Sequence, residues 1–238
     1  MIVIPRISSG SRGITIIHSW EDFKPKFEEV RNHYPEPMIQ EFIPHGGAYG
    51  VSMLYASGVP KASFTHKTIR EFPLTGGPST LREGVSYPEI EQHAEALLTN
   101  LKWNGVAMVE YRVDSRNNHP KLMEINPRFW GSLETGVFSG VDFPYLLFKL
   151  GTEGEVEDCF EYRLGRRVRW LFLGDILWFI GSPKTGKNLR EFFKFYQKDL
   201  GYDIFSWRDL GPTFGSISEG VRSFLRKDRR KHAFNRGW

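Results

Sequence analysis

Val106-Ala107-Met108-Val109-Glu110-Tyr111-Arg112-Val113 and Pro120-Lys121-Leu122-Met123-Glu124-Ile125-Asn126 are two strand-like runs separated by Asp114-Ser115-Arg116-Asn117-Asn118-His119. The apolar runs favour extended backbone and the polar stretch between them favours a turn, so the segment predicts a β-hairpin. Side chains alternate faces along a strand, so Glu124 and Asn126 point the same way, and pairing with the preceding strand can bring Glu110 to that face. Pro127 has no N–H and stops the ladder, while Gly131 permits a sharp turn in the continuation Asn126-Pro127-Arg128-Phe129-Trp130-Gly131-Ser132.

Glu110, Glu124 and Asn126 are oxygen donors of the kind a hard divalent cation takes. Magnesium needs only one or two carboxylates, because water and substrate phosphates fill its other positions. Arg128, two residues on, is placed to grip a phosphate oxygen. A solvated hairpin surface would also carry acids, but it would not need the Pro, Arg and Gly that follow.

With these residues the segment resembles the ATP-grasp superfamily, and Glu124-Ile125-Asn126-Pro127-Arg128 resembles most its carbamoyl phosphate synthetase and biotin carboxylase branch and the small carboxylate-amine ligases. The resemblance covers about residues 1–150. It implies an α+β fold with a mostly antiparallel sheet, ATP and Mg2+ as cofactors with Mn2+ as a substitute, and small carboxylate and amine substrates. It implies that Glu110, Glu124 and Asn126 hold metal, and that Arg128 acts on the phosphoryl group. Between Ile2-Val3-Ile4 and Ile14-Thr15-Ile16-Ile17 lies Arg6-Ile7-Ser8-Ser9-Gly10-Ser11-Arg12-Gly13, a Gly/Ser loop whose N–H groups can meet phosphates. Such loops are also ordinary turns. Under the resemblance it is the phosphate lid, with Arg6, Ser8, Ser9, Gly10 and Ser11 as ligands. Met38-Ile39-Gln40-Glu41-Phe42-Ile43 then resembles the adenine hinge, with Glu41, Phe42 and Ile43 around the base and backbone groups of Glu41 and Ile43 on the adenine edge, although Phe42 taken alone reads more readily as core than as a ligand. Phe64 to Glu71 and the following Thr75-Gly76-Gly77-Pro78-Ser79-Thr80 resemble the strand and loop that carry cations to the phosphates and acceptor, which nominates Lys67 and Arg70.

One departure stands against full activity. Family members carry Val-Ile-Lys-Pro before the Gly-rich loop, whereas this chain has Val3-Ile4-Pro5-Arg6, and isoleucine donates no hydrogen bond. The resemblance also implies an amino-terminal α/β domain and lobe segment upstream of Met1, supplied by a longer chain or by a partner chain. A nucleotide-binding remnant or regulatory subunit is therefore the rival expectation.

Composition sets the frame. A chain of 238 residues buries roughly 70–75% of its unfolded surface, enough for one domain or two small ones. No apolar run reaches the length of a membrane span, and Met1-Ile2-Val3-Ile4-Pro5 is too short for a signal peptide, which gives a cytoplasmic expectation without a membrane partner. Cys159 is the single cysteine, so neither an intramolecular disulfide nor a Cys-based zinc site is expected. The net charge is +4, but residues 222–238 alone carry +6, leaving about −2 elsewhere. Clustered basic residues at a terminus read as a solvated end rather than a nucleic-acid arm. A homo-oligomer is compatible with everything above.

Helical spacing is found in Trp20 to Arg31 behind Ser19, in Pro88 to Asn100 near Ser86, and in Gly140 to Leu150. The acidic, Gly-containing stretch Gly151 to Asp158 reads as a linker, dividing the chain at about 150 into a nucleotide-binding region, 1–150, and a mixed C-terminal extension with its basic tail, 151–238. In the extension, Arg167 to Ile180 reads as one buried strand or helix. Gly181-Ser182-Pro183-Lys184-Thr185-Gly186-Lys187-Asn188 nearly matches a phosphate-binding P-loop but ends in Asn where a hydroxyl is required. Asn188 with Glu191 reads instead as a capping box for a helix over Phe192 to Leu200.

Overall fold

The computed structural model describes residues 1–7, 13–74 and 76–225. The proposed lid residues Ser8, Ser9, Gly10 and Ser11 and the basic stretch 226–238 lie outside the described residues. A small sheet pairs β1 (Ile2–Ile4) antiparallel with both β2 (Thr15–Ile16) and β3 (Met38–Gln40). Helix α1 (Phe23–His33) covers it, burying Val30 against Val3 and Ile17. The helix begins later than its apolar spacing suggests. Ser19 Oγ accepts from the Asp22 N–H at 3.2 Å, and that turn precedes the first helical residue.

The large sheet contains β4 (His45–Ala56), β5 (Val59–Glu71), β6 (Ser79–Gly84), β7 (Gly105–Asp114), β8 (Pro120–Asn126), β9 (Arg167–Arg169) and β10 (Leu200–Tyr202). Their order is β10-β9-β6-β5-β4-β7-β8, with every pairing antiparallel except β9 with β10. Thus the architecture is the expected α+β arrangement with a mostly antiparallel sheet.

Helix α2 (Pro88–Asn100) lies on one face of this sheet. Its Ile90, Ala94 and Leu98, four residues apart, pack on Val51, Met53, Tyr55, Ala107, Val109 and Tyr111. Full burial of one such Ile or Leu contributes about 1.5–3 kcal/mol, so this stripe holds the helix in place. Helices α3 (Leu133–Ser139) and α4 (Phe143–Glu153) lie on the opposite face, where Trp130, Val141 and Phe143 meet Leu54, Ala62, Phe64 and Met108. The two faces alternate along β4: Val51, Met53 and Tyr55 turn to α2, and Leu54 turns to the other side.

Residues beyond 150 are joined to the same sheet. The expected boundary falls inside α4, and β9 and β10 extend the sheet past β6. The run 167–180 is both strand and helix: β9, a turn over Leu171–Asp175 with Leu173 at φ 61°, then α5 (Ile176–Gly181). The break exists because buried Asp175 is drawn in to meet two arginines. Helix α6 (Gly186–Phe192) corrects the capping expectation, since Thr185 is the cap and its Oγ1 accepts from the Asn188 N–H at 3.2 Å. Phe192 ends that helix rather than beginning one, with its ring stacked on Phe179 at 4.1 Å. Helix α7 (Gly211–Leu225) follows β10. No described helix is long and apolar enough to cross a membrane.

Candidate functional site

The β7–β8 register sets Glu110 opposite Glu124 and Met108 opposite Asn126. The side chains meet as the alternation requires. Asn126 Nδ2 donates to Glu110 Oε1 at 3.1 Å and to Glu124 Oε1 at 3.0 Å, so one amide lies between two carboxylates. Asn126 is buried, Glu110 partly buried and Glu124 exposed, giving a cluster open on one side.

Burial and then the neighbouring Glu124 charge push the Glu110 carboxyl up to about 7, against the opposing pull of Arg128 and Arg112. Two carboxylates thus sit close together at this edge, with Arg128 and Arg112 opposing their mutual repulsion. The donor set fits a hard dication: two carboxylates and, after a half-turn of the Asn126 side chain, an amide oxygen. Among the described residues no group of three or more His, Cys, Asp or Glu forms such a site, so Asn126 is needed to complete this one. Arg128 is exposed, its Nη1 donating to the Phe129 carbonyl at 3.0 Å, and its charge reaches Glu110.

The pairing registers extend this row across the sheet. Gly84, His66, Gly50, Glu110 and Glu124 are successive partners on β6, β5, β4, β7 and β8, and so share a face. Gly50 is required there because a Cβ would sit 2.4 Å from His66 Cε1. His66 is buried, its Nδ1 has no hydrogen-bond partner, and burial followed by the Arg82 charge lowers its pKa to about 3, which keeps the ring neutral. Sequence reasoning passed over His66, whose signal is the pair of glycines beside it in neighbouring strands, visible only once the register is known.

Two nominated cations lie elsewhere. Lys67 is one residue from His66 and leaves on the other face, with Nζ 5.6 Å from the Tyr49 ring centroid. Arg70 is buried, with Nη1 2.7 Å from Asp175 Oδ2 and its guanidinium 4.2 Å from the Trp178 ring centroid. Neither joins the acids, because alternation turns Lys67 away and an ion pair holds Arg70.

The segment 41–44 connects the small sheet to the large one, between β3 and β4. The exposed Glu41 carboxylate meets Arg116 Nη2 at 2.6 Å, and Arg116 also meets Asp114 Oδ2 at 2.5 Å. Hydrogen bonding from Arg116 lowers the Asp114 pKa to about 2. The Ser115 N–H donates to the Pro44 carbonyl at 3.2 Å, tying the connector to the hairpin turn. Phe42 and Ile43 are half-buried, while Arg6 is exposed just after β1 and Ile4 ends that strand.

Residues 75–172, from before β6 to just past β9, match the family described as ATP-grasp in the biosynthetic pathway with Ter operon. No curated protein matches the sequence. Among solved structures the chain is similar to biotin carboxylase from Campylobacter jejuni in its β-γ-ATP complex, with TM-score 0.57 and 15% identity over 70% of this chain and 40% of that one. It is similar to the biotin carboxylase domain of the 2-oxoglutarate carboxylase of Hydrogenobacter thermophilus, with TM-score 0.58 and 15% identity over 70% of this chain and 39% of that one. The N5-carboxyaminoimidazole synthetase of Staphylococcus aureus complexed with ADP gives TM-score 0.55 and 15% identity over 70% of this chain and 44% of that one. The chain therefore spans well under half the length of these proteins. In its fold and over its matched segment, this chain is similar to ATP-grasp proteins.

Proposed function

We propose that the chain binds Mg-ATP at the Glu110, Glu124 and Asn126 cluster and takes part in ligation of a carboxylate to an amine. The observation that carries this reading is the Asn126 amide bridging two carboxylates on paired strands. The solved structures with the same fold lend support, since their descriptions name a β-γ-ATP complex and MgADP with bicarbonate. Glu110, Glu124 and the Asn126 carbonyl would hold Mg2+, which supplies positive charge against the triphosphate. Glu41, Phe42 and Ile43 offer backbone groups to the adenine edge. Arg128 supplies a guanidinium to the phosphoryl group as it moves. In this reaction class the acid oxygen takes the γ-phosphoryl group and ADP leaves. The amine then attacks the acyl phosphate, losing its proton, and phosphate departs as the amide forms. The H. thermophilus relative is described as a domain dimer, so a homo-oligomer is part of the same reading.

Calorimetric titration with Mg-ATP tests the site. Binding by the wild-type chain that is at least about tenfold weaker in Glu124→Gln supports it, whereas equal affinity removes the assignment.

A second reading, nucleotide binding without turnover by this chain alone, is favoured by Ile4 at the expected lysine position and by the placement of Lys67 and Arg70 away from the acids. Missing one preorganised charge donor costs about 3 kcal/mol, or roughly a hundredfold in rate. ADP release against pooled acids and amines separates the two readings: brisk amine-dependent release rejects the second. Release only after addition of a longer chain or partner chain supports it.

A further inference from the structure

Helix α7 rests on the turn over Leu171–Asp175 through small residues. Buried Thr213 donates from Oγ1 to the Ile204 carbonyl at 3.3 Å, and buried Gly220 lies so close that a Cβ there would meet Leu173 Cδ1 at 3.0 Å. The large apolar residues of the helix are on a different face. Leu210, whose carbonyl accepts from the Phe214 N–H at 3.1 Å, is followed by Phe214, Ile217 and Val221 at intervals of four, three and four residues, the spacing of one helical stripe. These four are 38%, 66%, 38% and 54% exposed. Beside them runs a groove of about 300 Å³, lined by Phe172, Leu173, Ile176, Leu177, Ile217 and Val221 and by no charged side chain. Ile217 and Val221 belong to both, so stripe and groove form one outward apolar surface, which marks an interaction site rather than core.

The charge lies around this surface rather than on it. Arg222 is exposed one position past Val221, about 100° round the helix, and Glu219 is on the side away from the stripe. From Arg208 to the end of the sequence eight Lys and Arg stand against Asp209, Glu219 and Asp228, a net +5. The whole chain carries +4, so the rest of it sums to −1 and the positive excess is concentrated in this stretch.

We propose that α7 docks on an anionic bilayer surface, with the Leu210, Phe214, Ile217 and Val221 stripe at the boundary of headgroups and acyl chains and the basic sequence around it against acidic headgroups. Charge complementarity selects this occupant. An apolar stripe edged by Lys and Arg is the composition of helices that lie in a membrane interface without spanning it, and neither half alone gives firm attachment. A nucleic acid would match the charge and leave the stripe in water. A second copy of this chain would cover the stripe but bring two basic stretches together, because a two-fold contact pairs each patch with itself. No residue of the Glu110 cluster takes part, so the inference does not depend on the nucleotide reading.

The test is co-sedimentation of the full chain with vesicles of phosphatidylcholine alone and of equal parts phosphatidylcholine and phosphatidylglycerol. The expected result is binding to the mixed vesicles at least about tenfold tighter than to the neutral ones, and weakened by salt. Phe214→Ser with Val221→Ser, checked for native circular dichroism, weakens it at least about fivefold. Arg229→Gln with Arg230→Gln weakens it severalfold, while Glu124→Gln binds vesicles as wild type does. No binding to either vesicle, equal binding to both, or wild-type affinity in either double variant would overturn the proposal. So would tighter binding to duplex DNA that the serine pair leaves unchanged, or a dimer that the serine pair dissolves, without vesicle binding; the first assigns the surface to nucleic acid and the second to another copy of the chain. Loss of vesicle binding in Glu124→Gln would overturn its independence from the acidic edge.

Discussion

The two charge clusters sit toward opposite edges of one sheet and differ in what the fold itself provides. At the β7–β8 edge two carboxylates share a single amide donor, Glu124 is open to solvent, and burial followed by the Glu124 charge raises the Glu110 pKa. Beside β9 the arginines are closed over an aspartate with 0% exposure. The first cluster keeps two carboxylates that the fold pairs with one amide and leaves open on one side. The second is internal: Asp175 ties β5, β6, β9 and the turn before α5 together. Ionic groups of one fold can thus serve assembly or binding, and burial with full pairing distinguishes the two.

Removing the centre of the closed cluster gives the largest expected effect. Asp175→Asn leaves two buried guanidinium groups without a counter-charge, and loss of one partner from a buried pair costs about 3–5 kcal/mol. Urea denaturation should show that loss at an unchanged slope. A shift below about 1 kcal/mol would mean that the arginines find other anions and that the cluster is not what joins residues beyond 150 to the sheet.

The open cluster should respond to pH in the opposite sense from an ordinary paired carboxylate. Glu110 rises from 4.5 to about 7 in the folded chain, so the native state holds its proton more tightly than the unfolded state does. This group's contribution is most favourable below pH 4.5 and is lost as pH climbs through 7. At about 1.4 kcal/mol per pKa unit the loss is at most about 3.5 kcal/mol, reduced by the solvent that reaches Glu124. Denaturation measured from pH 5 to pH 8 should show the decline, and Glu110→Gln should flatten it. Excess Mg2+ should restore stability at pH 8 in the wild type but not in that variant.

The hairpin was legible because its information is local. Two apolar runs, a polar turn and the period-2 alternation sufficed to bring Glu110, Glu124 and Asn126 together, and the helix over Pro88–Asn100 was readable from its apolar spacing. Lys67 and Arg70 lie away from the acids, a placement the sequence alone does not show, because a basic residue on a strand has two faces to choose from. The choice depends on partners distant in sequence, Tyr49 for one and Asp175 for the other. The 167–180 run was read as one element for the same reason, since its break answers to Arg70 and Thr80 on strands about a hundred residues earlier, as the separations of 105 and 95 show. His66 was invisible because its neighbour across the strand is a glycine, which carries no chemical signal of its own.

That glycine sharpens the comparison further. Gly50→Ala places a methyl group 2.4 Å from His66 Cε1, where the ring lies against the glycine backbone. Overpacking of this kind costs about 1–3 kcal/mol. Because Gly50 pairs directly with Glu110, the displaced ring also disturbs the acid edge, so Mg-ATP affinity should fall together with the melting temperature. A variant that melts lower but binds Mg-ATP as wild type does would separate the His66 row from the site.

The smallest effect belongs to the connector between the sheets. Glu41 and Arg116 form an exposed pair, with side chains 65% and 51% accessible, and such pairs contribute about 0.2–1 kcal/mol. Glu41→Gln should therefore leave the denaturation midpoint nearly unchanged, and salt should erase what difference there is. Its value lies in the other readout. If residues 41–43 face the adenine through their backbone, the substitution leaves nucleotide affinity within about a factor of two, well under 1 kcal/mol. A tenfold loss would assign the Glu41 carboxylate itself to the ligand, and a third charged group would then have to be added to the open edge of the sheet.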